Sequence, residues 1–243
     1  MLNGFEPVEI ILFLVFAFLA EIIGTLAGFG SSTVLVPITA LFIDVKTAIA
    51  VVGLFHFFGQ VVDLFLWGKY INWRITALFA SLGVLFSFLG AALITVLPSQ
   101  TVLLILGVFL VVYAATSLWG RKMALPKNNL SILSMGGAVG FLAGLTGTAG
   151  AMRTAFLSTL GLAKEHFIGT SNAIAFFVDF TRVAVYAGGG ILKFDLPFWL
   201  AVLGVSIAGS LVGRKLVLKI KEKTFYRIVY FALLLAGIKF ILG

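Results

Sequence analysis

From Val8 to Phe42 the chain is almost continuously apolar, yet small residues cut it near its middle, at Gly28-Phe29-Gly30-Ser31-Ser32-Thr33. An unbroken helix over that stretch would reach roughly 50 Å at 1.5 Å per residue. The hydrocarbon core of a bilayer measures only about 30 Å. The segment must therefore tilt strongly, protrude or turn back. The same pattern recurs from Ile132 to Leu162, cut at Gly147-Thr148-Ala149-Gly150-Ala151-Met152-Arg153-Thr154. Two such breaks, one in each half of the chain, are the first place to look for a bound substrate.

Between the breaks lie further stretches long enough to cross a bilayer: Thr47–Trp67, Ile75–Leu97, Val102–Trp119, Phe167–Ala187, Leu196–Val217 and Phe225–Leu242. Charged residues make up 11% of the chain, where a soluble domain carries about 25%. The reading is an all-α integral membrane protein, with residues 1–243 as a single membrane domain. The net charge of +8 comes from basic residues in short loops, where they set topology. It is no sign of nucleic-acid binding. With no cysteine in the sequence, thiol chemistry, disulfides and cysteine metal sites are excluded. Met1 to Glu9 carry no Lys or Arg ahead of the first apolar run. That pattern speaks against a cleaved secretory signal, so the first segment is expected to stay in the membrane.

The halves repeat one another. A shift of 119 residues sets Gly28 on Gly147, Ser31 on Gly150, Pro37 on Phe156, Lys46 on Glu165, Phe57 on Phe176 and Trp67 on Tyr186 without a gap. Residues 1–120 are read as the first repeat, 121–131 as a cytoplasmic linker and 132–243 as the second repeat. Charge then chooses the topology. With Arg153 and Arg182 set aside as intramembrane, 15 of the 17 basic residues remain. If each broken segment crosses once, the two sides carry 7 and 8 of them, which is no bias. If each turns back at its break, 12 share one side and only Lys46, Lys193 and Lys239 lie on the other. The second distribution fits the positive-inside rule. The expectation is two inverted repeats, each a broken re-entrant-like helical hairpin followed by three transmembrane helices. Both termini would then lie on the outer face of the cell (inner) membrane.

The two broken segments also carry a recognisable pattern. Gly28, Gly30, Ser31 and Ser32 followed by Val36-Pro37, then Ile168-Gly169-Thr170-Ser171-Asn172, then Gly209-Ser210-Leu211-Val212-Gly213-Arg214-Lys215 resemble the TauE/SafE family of sulfite and organosulfonate exporters. The resemblance covers nearly the whole chain and rests on the order of these motifs in two copies. The chain departs from the pattern in places. The glycine triplet usual at each break is Gly30-Ser31-Ser32 in the first copy and Ala149-Gly150-Ala151 in the second. Phe156 stands where the family often has proline, and Val51-Val52-Gly53 replaces Gly-Thr-Ser. The resemblance implies a secondary transporter, an exporter, of a small sulfur-containing anion such as sulfite or a sulfonate.

The residues themselves reach an anion site without that help. A helix broken inside a membrane frees N–H and C=O groups that lipid cannot satisfy. The restarting helices, near Ser31-Ser32-Thr33 and Gly150-Ala151-Met152, would point their N-termini into one central cavity, where free N–H groups and the dipole favour an anion. The candidate substrate-binding residues are Gly28, Gly30, Ser31, Ser32, Thr33, Gly147, Thr148, Gly150, Arg153 and Asn172. Arg153 has a fork suited to sulfite or sulfonate oxygens; its alternative is to snorkel or to pair with Glu21 or Asp63. The breaks would otherwise serve only close helix packing. Asn172 lies close to the second site in the family pattern.

Coupling or gating candidates are Glu21, His56, Asp63, Asp179 and Arg182. Asp179 and Arg182, three apart, can pair on one helix. Inverted symmetry would bring Asp63 to Arg182. His56 stands as a lone polar group on an apolar face, and Glu21 as a buried acid or a carboxylate near an outer vestibule. No Walker motif appears, so proton or membrane-potential coupling is left as the drive. No cofactor or metal is expected, and the oligomeric state is not legible. A passive channel, an intramembrane enzyme and a lipid-binding scaffold are the other readings; two histidines and no His-Glu-x-x-His or Gly-x-Ser-x-Gly give an enzyme little to work with. Single cysteines placed at Asn3 and Gly243 of this cysteine-free chain should react with an impermeant maleimide from outside intact cells, and one at Lys127 only after permeabilisation. The opposite labelling pattern would overturn the orientation.

Overall fold

The computed structural model describes residues 6–27, 30–119, 125–192, 195–216 and 222–242. Among the described residues the architecture is wholly helical. The helices are α1 (Pro7–Ala27), α2 (Ser32–Thr39), α3 (Val45–Trp67), α4 (Trp73–Val96), α5 (Ser99–Leu118), α6 (Asn129–Thr146), α7 (Gly150–Thr159), α8 (Lys164–Gly188), α9 (Leu196–Leu216) and α10 (Glu222–Leu242). A 3-10 turn, Gly68–Tyr70, follows α3. Both halves thus run long, short, long, long, long. Gly28 and Phe29 of the first break lie outside the described residues, as do Gly120, residues 121–124 of the expected linker and 217–221 of the last basic loop.

Among the described residues six helical stretches are long and apolar enough to cross a bilayer: Pro7–Gly24, Val45–Tyr70, Trp73–Val96, Ser99–Leu118, Asn129–Thr146 and Leu196–Gly213. Large apolar side chains stand outward on them, among them Val8, Ile11, Val15 and Leu19 of α1 and Leu85, Phe88 and Leu89 of α4. Apolar surface that extensive suits lipid and not water. The protein is a multi-pass membrane protein. Helix α8, at 25 residues, is long enough to cross as well, but its charged Asp179 and Arg182 are buried inside the bundle.

Helix ends sit further out than the apolar runs alone suggest. Asn128 accepts a hydrogen bond from Ser131 N and so starts α6 inside the expected linker. Likewise Asn72 accepts from Ile75 N ahead of α4, and Asp44 accepts from Lys46 N and Thr47 N ahead of α3. Helices α8 and α10 each begin three residues before the apolar stretch expected there. Hydropathy finds the part of a helix that lies in hydrocarbon; capped polar turns continue it beyond.

Packing depends on absent side chains. Helices α4 and α6 run parallel, and Gly136, Gly140 and Gly144 of α6 lie directly on the backbone carbonyls of Phe79, Gly83 and Ser87. A Cβ at Gly140 would sit 2.1 Å from Gly83 O. Helices α1 and α9 are also parallel, with Phe13 against Phe198 at one end and Glu21 against Ser210 at the other. By contrast α3 and α8 run antiparallel. Gly53 faces Arg182, His56 bonds Asp179, Phe57 stacks on Phe176 at 5.4 Å and Asp63 meets Asn172, so numbers rise on one helix as they fall on the other. Helices α5 and α10 cross in the same antiparallel sense, each using a glycine, Gly107 and Gly237, against the other's carbonyl.

Gly140→Leu should lower the melting temperature of the detergent-solubilised protein, the overpacking costing about 1–3 kcal/mol or more. Gly204→Ala, where nothing lies within 4 Å of the added methyl, should leave melting unchanged or raised.

Candidate functional site: two helix breaks joined by a buried charge chain

The two breaks meet. Gly30 (φ 85°) and Gly147 (φ 72°) hold the left-handed backbone that lets the chain turn there. Helix α2 restarts at Ser32 and α7 at Gly150, close to the expected points. Neither restart has a side-chain cap on its first turn. Thr148 donates its hydroxyl to Thr33 Oγ1 at 3.0 Å, tying the second break to the first. Thr148 is therefore engaged by the protein. Ser31, Ser32 and Thr33 are all buried, and Ser31 Oγ has no hydrogen-bond partner.

A chain of charges runs behind the breaks. Arg182 of α8 donates from Nε to Asp179 Oδ1 at 2.7 Å and from Nη1 to Gly147 O at 2.8 Å and Ala143 O at 3.4 Å. Those are carbonyls at the C-terminal end of α6, where the helix leaves acceptors unpaired and its dipole is negative. Tyr186 donates its hydroxyl to Gly144 O in the same turn. Asp179 Oδ2 lies 2.5 Å from His56 Nδ1. Gln60 Nε2 sits 3.1 Å from His56 Nε2, so the ring is held between the amide and the carboxylate of Asp179. His56 Nε2 is also 2.8 Å from where a Cβ on Gly30 would stand. The chain Gly30–His56–Asp179–Arg182–Gly147 thus reaches from one break to the other.

Three sequence expectations change here. Asp63 does not reach Arg182; it accepts from Asn172 Nδ2 at 2.9 Å, because the antiparallel register sets residue 63 beside 172 and residue 56 beside 179. That bond also engages the Asn172 amide. His56 is not a lone polar group: its acid partner comes from the other half of the chain, beyond the reach of sequence spacing. Glu21 lies in no outer vestibule. It is 5% exposed, between α1, α3 and α9, and accepts from Ser210 Oγ at 2.9 Å.

Arg153 is 5% exposed in the first turns of α7. Its Nε donates to Ser171 Oγ of α8 at 3.0 Å. Among the described residues no carboxylate lies within salt-bridge distance of it, so neither Glu21 nor Asp63 is its partner. Spacing also gave no hint of Ser171, Tyr186 or Ser210 as supporting groups. Ser171 and Ser210 do stand inside the motifs Gly169-Thr170-Ser171-Asn172 and Gly209-Ser210, which is the signal that pointed toward them. A groove of about 380 Å³ lined by Trp73, Thr76, Ala77, Ala80, Ser81, Val84 and Phe177 contains none of these site residues. No group of metal-ligating side chains occurs among the described residues.

Asp179→Ala should destabilise the protein by about 3–5 kcal/mol, because it strands a buried guanidinium. The double variant Asp179→Ala/Arg182→Ala should cost less than the sum of its parts in a thermal double-mutant cycle.

Neither a curated protein nor a solved structure matches the chain. A family description does, that of the sulfite exporter TauE/SafE, over residues 13–240. This covers both breaks and the whole charge chain, and the protein belongs to the sulfite exporter TauE/SafE family.

Proposed function

We propose that this protein is a secondary transporter that exports a small sulfur-containing anion, sulfite or an organosulfonate, by alternating access around one site at the two breaks. The observation that carries the reading is Arg153. It is buried, oriented by Ser171 through Nε alone, and free of any carboxylate partner among the described residues. An arginine at bilayer depth is costly and serves a function. It sits at the start of α7, beside two uncapped helix starts whose N–H groups favour negative charge. Arg153 and Arg182 face only Asp179 in this chain of charges, which leaves one positive charge for an anion to balance. In this reading Gly28, Gly30, Ser31, Ser32, Gly147 and Gly150 let the anion approach backbone, while Thr33, Thr148 and Asn172 hold the walls.

The antiparallel crossing of α3 and α8 supports an inverted arrangement of residues 1–120 and 132–243 about the 121–131 linker. These helices correspond under the 119-residue shift, and Phe57 stacks on its own counterpart Phe176. If each broken segment crossed once, corresponding helices would run parallel. If each turns back, they run antiparallel, and α1 with α9 and α4 with α6 run parallel. A hairpin at each break, with both termini on the outer face of the cell inner membrane, accommodates every one of these pairings and the 12:3 distribution of basic residues.

Binding is the direct test. Sulfite, sulfoacetate, taurine, sulfate and chloride should be compared as thermal stabilisers of the purified protein and as substrates in proteoliposomes. A recognised anion at about 100 times its Kd should stabilise by about 2.7 kcal/mol. Arg153→Ala should weaken that anion by about tenfold or more, the loss of charge-assisted hydrogen bonds. If no anion shifts melting and Arg153→Ala changes nothing, the central site is lost.

A further inference from the structure

Glu21 is a buried acid that the anion site leaves unused. One oxygen, Oε1, accepts from Ser210 Oγ at 2.9 Å. The other, Oε2, is buried and has no hydrogen-bond partner. The side chain is clamped by glycines: a Cβ on Gly209 would lie 2.7 Å from Glu21 Cβ, and one on Gly59 would lie 3.1 Å from Oε1 and 3.2 Å from Ser206 Oγ. One turn further along α1, Gly24 lies against the backbone nitrogen of Ser31, whose hydroxyl is likewise buried and unpartnered. The elbow between α1 and α2 therefore sets the Ser31 hydroxyl toward the Glu21 carboxyl beside the first break, and neither Ser31 Oγ nor Glu21 Oε2 completes a hydrogen bond.

Among the described residues no cation forms an ion pair with Glu21. Helix α9 offers the hydroxyls of Ser206 and Ser210. Helix α3 offers His56, the titratable group whose field reaches Glu21, and His56 is already held between Asp179 and Gln60. Beyond it Arg182 is taken by Asp179. On α1 itself Glu9 lies three turns away, partly exposed and accepting from Glu6 N. An ionised carboxylate so placed would be an unpaired buried charge. A proton removes that charge and turns Oε2 into a donor.

We propose that Glu21 is the proton-binding site of the transport cycle, occupied when the anion is bound. This rests on the anion site proposed above. With Glu21 neutral, the other fully buried charged groups among the described residues are Arg153, Arg182 and Asp179, and one excess positive charge attracts the anion. With Glu21 ionised, the interior is balanced and the anion loses that attraction. Proton and anion therefore strengthen each other's binding by the same factor. They move together, a monovalent anion and its proton crossing without net charge, so that export runs down the anion's own outward gradient.

Two measurements test this. Infrared spectra of the purified protein at acidic pH, without any anion, should contain the C=O stretch of a protonated carboxyl. That band should vanish in Glu21→Gln and shift to higher frequency in Ser210→Ala, which removes the hydrogen bond to Oε1. In proteoliposomes with equal sulfite on both sides, a pH gradient should drive sulfite toward the alkaline side in the wild type. In Glu21→Gln that accumulation should fall at least about tenfold, while sulfite–sulfite exchange at uniform pH persists. A spectrum unchanged by both substitutions would overturn the proposal even if anions bind. So would gradient-driven accumulation in Glu21→Gln equal to the wild type. Loss of anion binding in the wild type itself would strike the anion site and leave the infrared result standing.

Discussion

A helix that stops inside a buried interior leaves carbonyls that no water reaches, and the structure depends on how these are answered. At the second break the answer is Arg182 and Tyr186 of α8, which donate to Ala143, Gly147 and Gly144. Arg182 brings a charge with it, so Asp179 must neutralise it. Asp179 in turn orders His56, and His56 packs on Gly30 at the first break. Each step exists because the one before it would otherwise leave a buried polar group unpaired. The result couples two backbone interruptions that lie far apart in sequence.

The same requirement explains the glycine content. Helices that carry polar groups to the centre must approach closely enough to exclude water from the remainder of the bundle. The α4–α6 contact does so with Gly136, Gly140 and Gly144 against bare backbone, and the α1–α9 contact with Gly209 against the stem of Glu21. Small residues permit this closeness where lipid offers no hydrophobic drive for helices to associate. Glycines at the breaks themselves serve a different end: Gly30 and Gly147 adopt positive φ.

Polar residues in the interior divide into two groups. One is closed: Arg182, Asp179, His56 and Gln60 satisfy one another apart from Gln60 Oε1, which stays unpartnered. The other is open: the guanidinium of Arg153, Ser31 Oγ and Glu21 Oε2 are buried yet have capacity to spare. A protein that gained only stability from its buried charges would have closed both. The open set gathers near the breaks, where a substrate and a proton would supply what the chain does not.

The sequence by itself determined the class, the order of segments and the places where the chain breaks. Helix length against bilayer thickness and the position of small residues are local facts, and they put the restarts at Ser32 and Gly150 nearly where they lie. It also gave the Asp179–Arg182 pair, because three residues on one helix is a local distance. Only the tertiary structure decided the partners of His56, Asp63, Glu21 and Arg153. Each of these depends on the antiparallel register of α3 against α8 or on the α1–α9, α7–α8 contacts, and a register is a property of two surfaces packed together. A shift of 119 residues aligns the two halves along the chain, but across an antiparallel crossing the neighbours are those whose numbers change in opposite directions. That is why Asp63 met Asn172 and not Arg182, and why the acid for His56 came from the other half of the molecule.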